Sequence, residues 1–243
     1  MLSTFKRSKH QQHLAQLPKI PQTVADVKTL FSPDDFYQAL IRAIAGARQR
    51  IYLVALYLEQ DLGGQRILEA LYQAKRTDPT LEIAILVDWH RAQRGRIGAA
   101  AANTNADWYC RMAQAHSGVD VPVYGVPVNT REALGVLHLK GFIIDDEVIY
   151  SGASLNDVYL HQQDKYRYDR YQIIRNQPLA DTLLNYIKQH LLTAPAVNRL
   201  DNAARPKSLE IKTIPACFVR PCGRPAIVIR VRPAPMNWPL PRW

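Results

Sequence analysis

Residues 138–157 read HLKGFIIDDEVIYSGASLND, and the short run Gly-Phe-Ile-Ile inside it sets the frame for everything around it. Aromatic and β-branched residues between polar punctuation favour a buried strand. A strand over residues 137–144 puts His138 and Lys140 on one face, because side chains alternate. A second strand over 148–150 then leads into a small-residue turn carrying Ser154 and Asn156. Asp145 lies at an odd offset from both His138 and Lys140, so it points away from them and supports the strand by a salt bridge or hydrogen bond.

Working outward, Ser32-Pro33-Asp34-Asp35 reads as a helix start: a capping hydroxyl, proline at the first helical position and acids at the positive end of the dipole. Phe36, Leu40, Ile41 and Ile44 follow at helical spacing. Strands are predicted over 51–58, 81–87, 119–124 and 170–174, with helices over 63–76, 105–115 and 178–192. Strand, helix, strand across 51–87 is a right-handed βαβ unit. The fold class is α/β, a mixed sheet flanked by helices on both faces.

At 243 residues and 47% hydrophobic, the chain is long enough for a substantial core. Its three cysteines are too few for a disulfide framework, and no Cys/His cluster has zinc spacing, so no metal is predicted. No stretch approaches the ~18 uninterrupted apolar residues of a membrane span, and the basic N-terminus lacks the apolar core of a secretion signal. A reducing cytoplasm is the expected location.

The formal net charge of +10 predicts attraction to polyanions, nucleic acid or acidic lipid headgroups. Half of that excess lies in the tail, where five arginines and no acid follow Glu210. Three segments are expected: a basic N-terminal stretch, 1–30; the α/β domain, 31–212; and a Pro/Arg-rich tail, 213–243. The tail holds seven of the sixteen prolines and shows no clean periodicity, so no packed element is assigned to it.

His138-x-Lys140-x4-Asp145 followed by Gly152-x-Ser154-x-Asn156 resembles the HKD motif of the phospholipase D superfamily. The superfamily's usual turn is Gly-Ser-x-Asn, and here an extra alanine, Ala153, intervenes. The chemistry suits a phosphodiester. Neutral His138 can attack phosphorus to form a phosphohistidine, while Lys140, Ser154 and Asn156 stabilise the non-bridging oxygens. An acid is needed to orient the histidine and stabilise its charged form. The superfamily places one after the turn, before an apolar run, and Asp169 occupies the matching place. An ordinary surface ion pair with Arg167 or Arg170 is the alternative.

The longer segments VALYLEQD, VDWHRAQRGRIGAAAANTNADWYCRMAQ, YGVPVNTREALGVLHLKGFIIDD and SGASLNDVYLHQQDKYRYDRY resemble the bacterial phosphatidylserine synthases of this superfamily, from residue 1 to about residue 212. The resemblance implies transfer of a phosphatidyl group from CDP-diacylglycerol to L-serine, giving phosphatidylserine and CMP, with no cofactor. It also implies peripheral contact with anionic lipid on the inner face of the cell membrane, and no specific nucleic acid partner.

Arg91, Arg94 and Arg96 are then candidates for the pyrophosphate or for acidic headgroups, with a solvated loop as the alternative. Trp89 and Trp108 are either interfacial anchors or core. Family members carry two HKD motifs whose histidines act at one site. This sequence carries one, so the expectation is an N-terminal half followed by unrelated or out-of-frame sequence, needing the second half or a second copy of itself. A single-motif homodimeric phosphodiesterase or nuclease is the alternative function, and a lipid-adsorbing fragment without activity a third.

Overall fold

The computed structural model describes residues 19–95, 104–129, 135–204 and 228–231. The chain divides into two compact units, residues 1–27 with 215–243, and residues 28–214. In the first unit, β1 (Lys19–Gln22) runs parallel to a strand at Val228–Val231, Lys19 opposite Val228. Residues 213–243 therefore contain a strand where none was expected. The β-branched run Val-Ile-Arg-Val suits that state despite the surrounding prolines.

The second unit is built on an eight-stranded mixed sheet. In chain order its elements are β2 (Val27–Leu30, whose first residue falls in the other unit), α1 (Pro33–Gly46), β3 (Arg50–Val54), α2 (Leu62–Thr77), β4 (Glu82–Asp88), the single-turn α3 (Trp89–Ala92) and α4 (Asn105–Ala115). β5 (Val123–Val126), β6 (Gly141–Ile144), β7 (Glu147–Ser151), β8 (Tyr171–Arg175), α5 (Gln177–Tyr186) and β9 (Asn198–Arg199) follow. The sheet order is β2-β8-β7-β6-β3-β4-β5-β9. β3, β4 and β5 are parallel, and β6 joins β3 antiparallel, Tyr52 opposite Ile143.

Local chemistry sets the helix starts. Ser32 Oγ accepts from Asp35 N at 3.0 Å, Asp61 caps α2 through Gly64 N at 2.9 Å, and Thr104 and Asp107 form a reciprocal capping box. Alternation along the central strands feeds two cores. Ile51, Leu53, Ile83, Ile85 and Val87 pack with Phe36 and Leu40 of α1, Ile67 and Leu71 of α2, and Trp108 and Tyr109 of α4. Tyr52, Val54, Ala84 and Leu86, on the other face, are also buried. On that face Lys188, just after α5, lies over the Tyr52 ring, and α5 packs against β6 and β7.

Several boundaries differ from the sequence reading. β3 ends at Val54, and beyond it Leu58 makes a single parallel bridge to Leu155. β5 starts at Val123, just past Pro122, which has no N–H to offer a ladder. α5 passes into a π-helical turn at Ile187–Leu191. β6 starts at Gly141, whose φ of 144° is open to glycine alone. His138 and Lys140 therefore lie on the irregular segment ahead of the strand, and strand alternation does not set their common face. Trp89 and Trp108 are core residues, 2% and 4% exposed, and so are not interfacial anchors.

Candidate active site

The segment bearing His138 and Lys140 is held by Leu137 N, which donates to the buried Asp88 Oδ2 at 2.8 Å. It leaves His138 exposed and Lys140 half-buried. Lys140 Nζ turns onto the small-residue turn, donating to Gly152 O and to Ser154 Oγ at 3.3 Å. Burial pulls the Lys140 pKa below the usual lysine value, and the nearby Asp169 carboxylate opposes it.

Asp169 Oδ1 accepts from Gly152 N at 2.9 Å and from Arg170 N at 2.7 Å. A Cβ on Gly152 would stand 2.7 Å from Asp169 Oδ2, so glycine is required for this approach. Asp169 thus shares the turn with Lys140, and among the described residues its carboxylate accepts from backbone N–H groups rather than from His138.

Ser154 is 1% exposed, and its side chain also hydrogen-bonds the Tyr57 hydroxyl, whose pKa burial pushes up. Asn156 Oδ1 accepts from Tyr159 N at 3.1 Å, and its Nδ2 donates to Glu59 Oε2 at 3.0 Å. The next residue, Asp157, fastens the turn to the start of α2: its Oδ1 accepts from Gly63 N at 2.7 Å, and its own N–H donates to Asp61 Oδ2 at 2.7 Å. Burial, with the charges of Asp157 and Glu59, pushes Asp61 up to about 6. Asp145 lies at the opposite end of β6, with φ 52°. Its carboxylate accepts from the backbone N–H groups of Arg48, Gln49 and Arg50 at 2.9, 2.8 and 3.1 Å.

Beside Asn156 opens a cleft of about 330 Å³ whose walls include Tyr57, Glu59, Arg91, Arg94, Tyr159 and Arg167. The Arg91 guanidinium lies over the Tyr57 ring at 5.1 Å and that of Arg167 over Tyr159 at 5.9 Å. Arg96 lies outside the described residues. Tyr57, Glu59 and Tyr159 escaped the sequence reading, and Arg167 entered it only as an ion-pair partner for Asp169. Glu59 meets Asn156 across 97 positions, brought there by the Leu58–Leu155 bridge, and no fixed spacing encodes that. Among the described residues, no group of His, Cys, Asp and Glu could hold a metal ion, and no helix is long and apolar enough to cross a membrane.

Comparison with known proteins points the same way as this geometry. The chain is 69% identical over 212 residues to the CDP-diacylglycerol–serine O-phosphatidyltransferase PssA of Escherichia coli, covering 87% of this chain and 47% of that protein. It is 47% identical to the Haemophilus influenzae enzyme, covering 85% of this chain and 46% of that one. It superposes on the crystal structure of Haemophilus influenzae phosphatidylserine synthase with a TM-score of 0.80 at 46% identity, over 85% of this chain and 46% of that one. The chain spans about half the length of the curated relatives it matches. Residues 40–191 match the family described as cardiolipin synthase, PLD-like domain, and with the turn of Lys140, Gly152 and Ser154 assembled as above, the chain belongs to that phospholipase D-like family.

Proposed function

We propose that this chain carries half of a site that transfers a phosphatidyl group from CDP-diacylglycerol to L-serine. The observation that supports the reading is the turn on which Lys140, two residues after His138 in the chain, converges with Ser154 and Asp169, in a chain so similar to phosphatidylserine synthases. A ring nitrogen of His138 attacks the phosphatidyl phosphorus, the bond to the CMP phosphate oxygen breaks, and CMP leaves. The serine hydroxyl then attacks the phosphohistidine, gives its proton to a base, and releases the imidazole and phosphatidylserine.

Lys140 Nζ and the Ser154 hydroxyl stabilise the non-bridging oxygens as charge builds. Asn156, committed to Glu59 and to the backbone of Tyr159, holds the turn in shape. Arg91 and Arg94 face the same cleft and bind the diphosphate. Asp169 fixes the turn and balances the charge of Lys140. Asp145 braces the sheet. The proton for the leaving group comes from a second histidine, on a second motif or on a second copy of this chain. Residues 31–212 form the catalytic half, with 1–30 and 213–243 outside it, and the domain works on the inner face of the cell membrane, against anionic lipid.

Incubating the chain with CDP-diacylglycerol in the absence of serine tests this. A phosphatidyl adduct by mass spectrometry, absent in His138→Ala and discharged by L-serine to phosphatidylserine, is expected. Serine-independent cleavage of DNA without any lipid adduct would instead identify a phosphodiesterase.

A further inference from the structure

Among the described residues that line the cleft, Glu59 is the one acid, beside Arg91, Arg94 and Arg167. Its Oε2 accepts from Asn156 Nδ2 at 3.0 Å, and among the described residues it forms an ion pair with none of the three. The Arg167 guanidinium likewise has no acidic partner among the described residues and is spread over the face of Tyr159 at 5.9 Å. The opposite charges of Glu59 and Arg167, sharing a partly enclosed cleft without pairing to each other, suit a ligand that carries both signs itself.

Resting on the transfer reading above, we propose that Glu59 and Arg167 hold the head of an α-amino acid acceptor, the ammonium at Glu59 and the carboxylate at Arg167. The position suits the chemistry. Glu59 is one hydrogen bond from Asn156 of the motif turn. Tyr57, on the same wall, is bonded to Ser154, which receives Lys140. An amino acid seated there directs its hydroxymethyl arm toward the phosphorus centre. The same charges predict selection against other alcohols. A cationic amino alcohol meets the arginines with no carboxylate to offer them, and a neutral polyol satisfies neither group.

Binding to the whole 243-residue chain, followed by NMR titration, tests the assignment with L-serine and two charge-deleted probes: 3-hydroxypropionate, which lacks the ammonium, and ethanolamine, which lacks the carboxylate. Glu59→Gln keeps an oxygen for Asn156 and loses only the charge, so its melting temperature should match the parent. The serine Kd in that variant should rise about tenfold or more, with 3-hydroxypropionate unaffected. Arg167→Met should weaken serine and 3-hydroxypropionate together and leave ethanolamine unchanged.

No serine binding to the parent chain, serine binding indifferent to Glu59→Gln, or an equal loss for 3-hydroxypropionate each overturns the proposal. Failure of the transfer reading looks different. The His138 adduct is then absent while the charge-specific pattern of serine binding persists.

Discussion

Replacing Asp145 removes a clamp rather than a catalyst, and the size of the loss follows from its three bonds. The carboxylate accepts backbone N–H groups from Arg48, Gln49 and Arg50 at 2.8 to 3.1 Å, joining the β6–β7 turn to the chain entering β3. Hydrogen bonds to a charged group contribute about 1.5–3 kcal/mol each when buried, and these lie at the surface or only partly buried, so about 1 kcal/mol each, or roughly 3 kcal/mol together, is the reasonable figure. Asp145 also holds φ 52°, where alanine costs about 1 kcal/mol that glycine does not.

Asp145→Ala should therefore lose about 4 kcal/mol and Asp145→Gly about 3. At roughly 2–4 °C per kcal/mol for a chain of this size, thermal unfolding followed by circular dichroism should show Tm falling by about 10 °C for alanine and a few degrees less for glycine. Adduct formation at His138, measured well below either Tm, should stay near the parental rate. Both variants melting within about 2 °C of the parent, at the sensitivity set by that slope, would refute the clamp; loss of the adduct in a folded variant would refute the purely structural role.

Three further outcomes follow from the same structure. Gly152→Ala brings a Cβ to 2.7 Å from one Asp169 oxygen and 2.8 Å from the other, so it should cost about 1–3 kcal/mol in denaturant unfolding and slow adduct formation as the acid moves off the turn. Gly125→Ala places a Cβ 2.7 Å from Trp89 and 2.9 Å from Leu200, and should destabilise by a similar 1–3 kcal/mol with little effect on chemistry per folded molecule. Asp61 has a folded pKa raised from 3.8 to about 6, so its contribution is fully present below the unfolded value and lost as pH rises through about 6. Melts between about pH 4.5 and 7.5 should show the parent losing stability with rising pH more steeply than Asp61→Asn, and parallel slopes would remove that assignment.

The helix starts and the βαβ unit were legible because their causes are local. Ser32-Pro33-Asp34-Asp35 is a cap wherever it occurs, and α1 begins at Pro33 as that reading requires. The apolar runs around Ile51 and Ile83 became adjacent parallel strands. Alternation misled at His138 and Lys140, because one backbone angle at Gly141 ends the strand before it reaches them. The partners of Asp145 could not be read either, since its bonds span 95 to 97 positions. The cleft was the least legible part. Arg91 and Arg94 drew notice as a basic loop, whereas Tyr57, Glu59, Tyr159 and Arg167 look ordinary until the end of β3 meets the motif turn. The strand at Val228–Val231 was hidden by the prolines around it.

Gly64, in the first turn of α2, touches nothing that reacts, yet a Cβ there would lie 1.9 Å from the carbonyl oxygen of Glu59. The missing methyl group lets the backbone beneath the cleft fold back on the helix, and so sets how far Glu59 stands from the motif. A mutational survey would score position 64 as a folding defect. Milder substitutions around it should instead shift acceptor preference before they unfold the chain, which makes the floor under Glu59, and not only its side chain, a place where selectivity can drift.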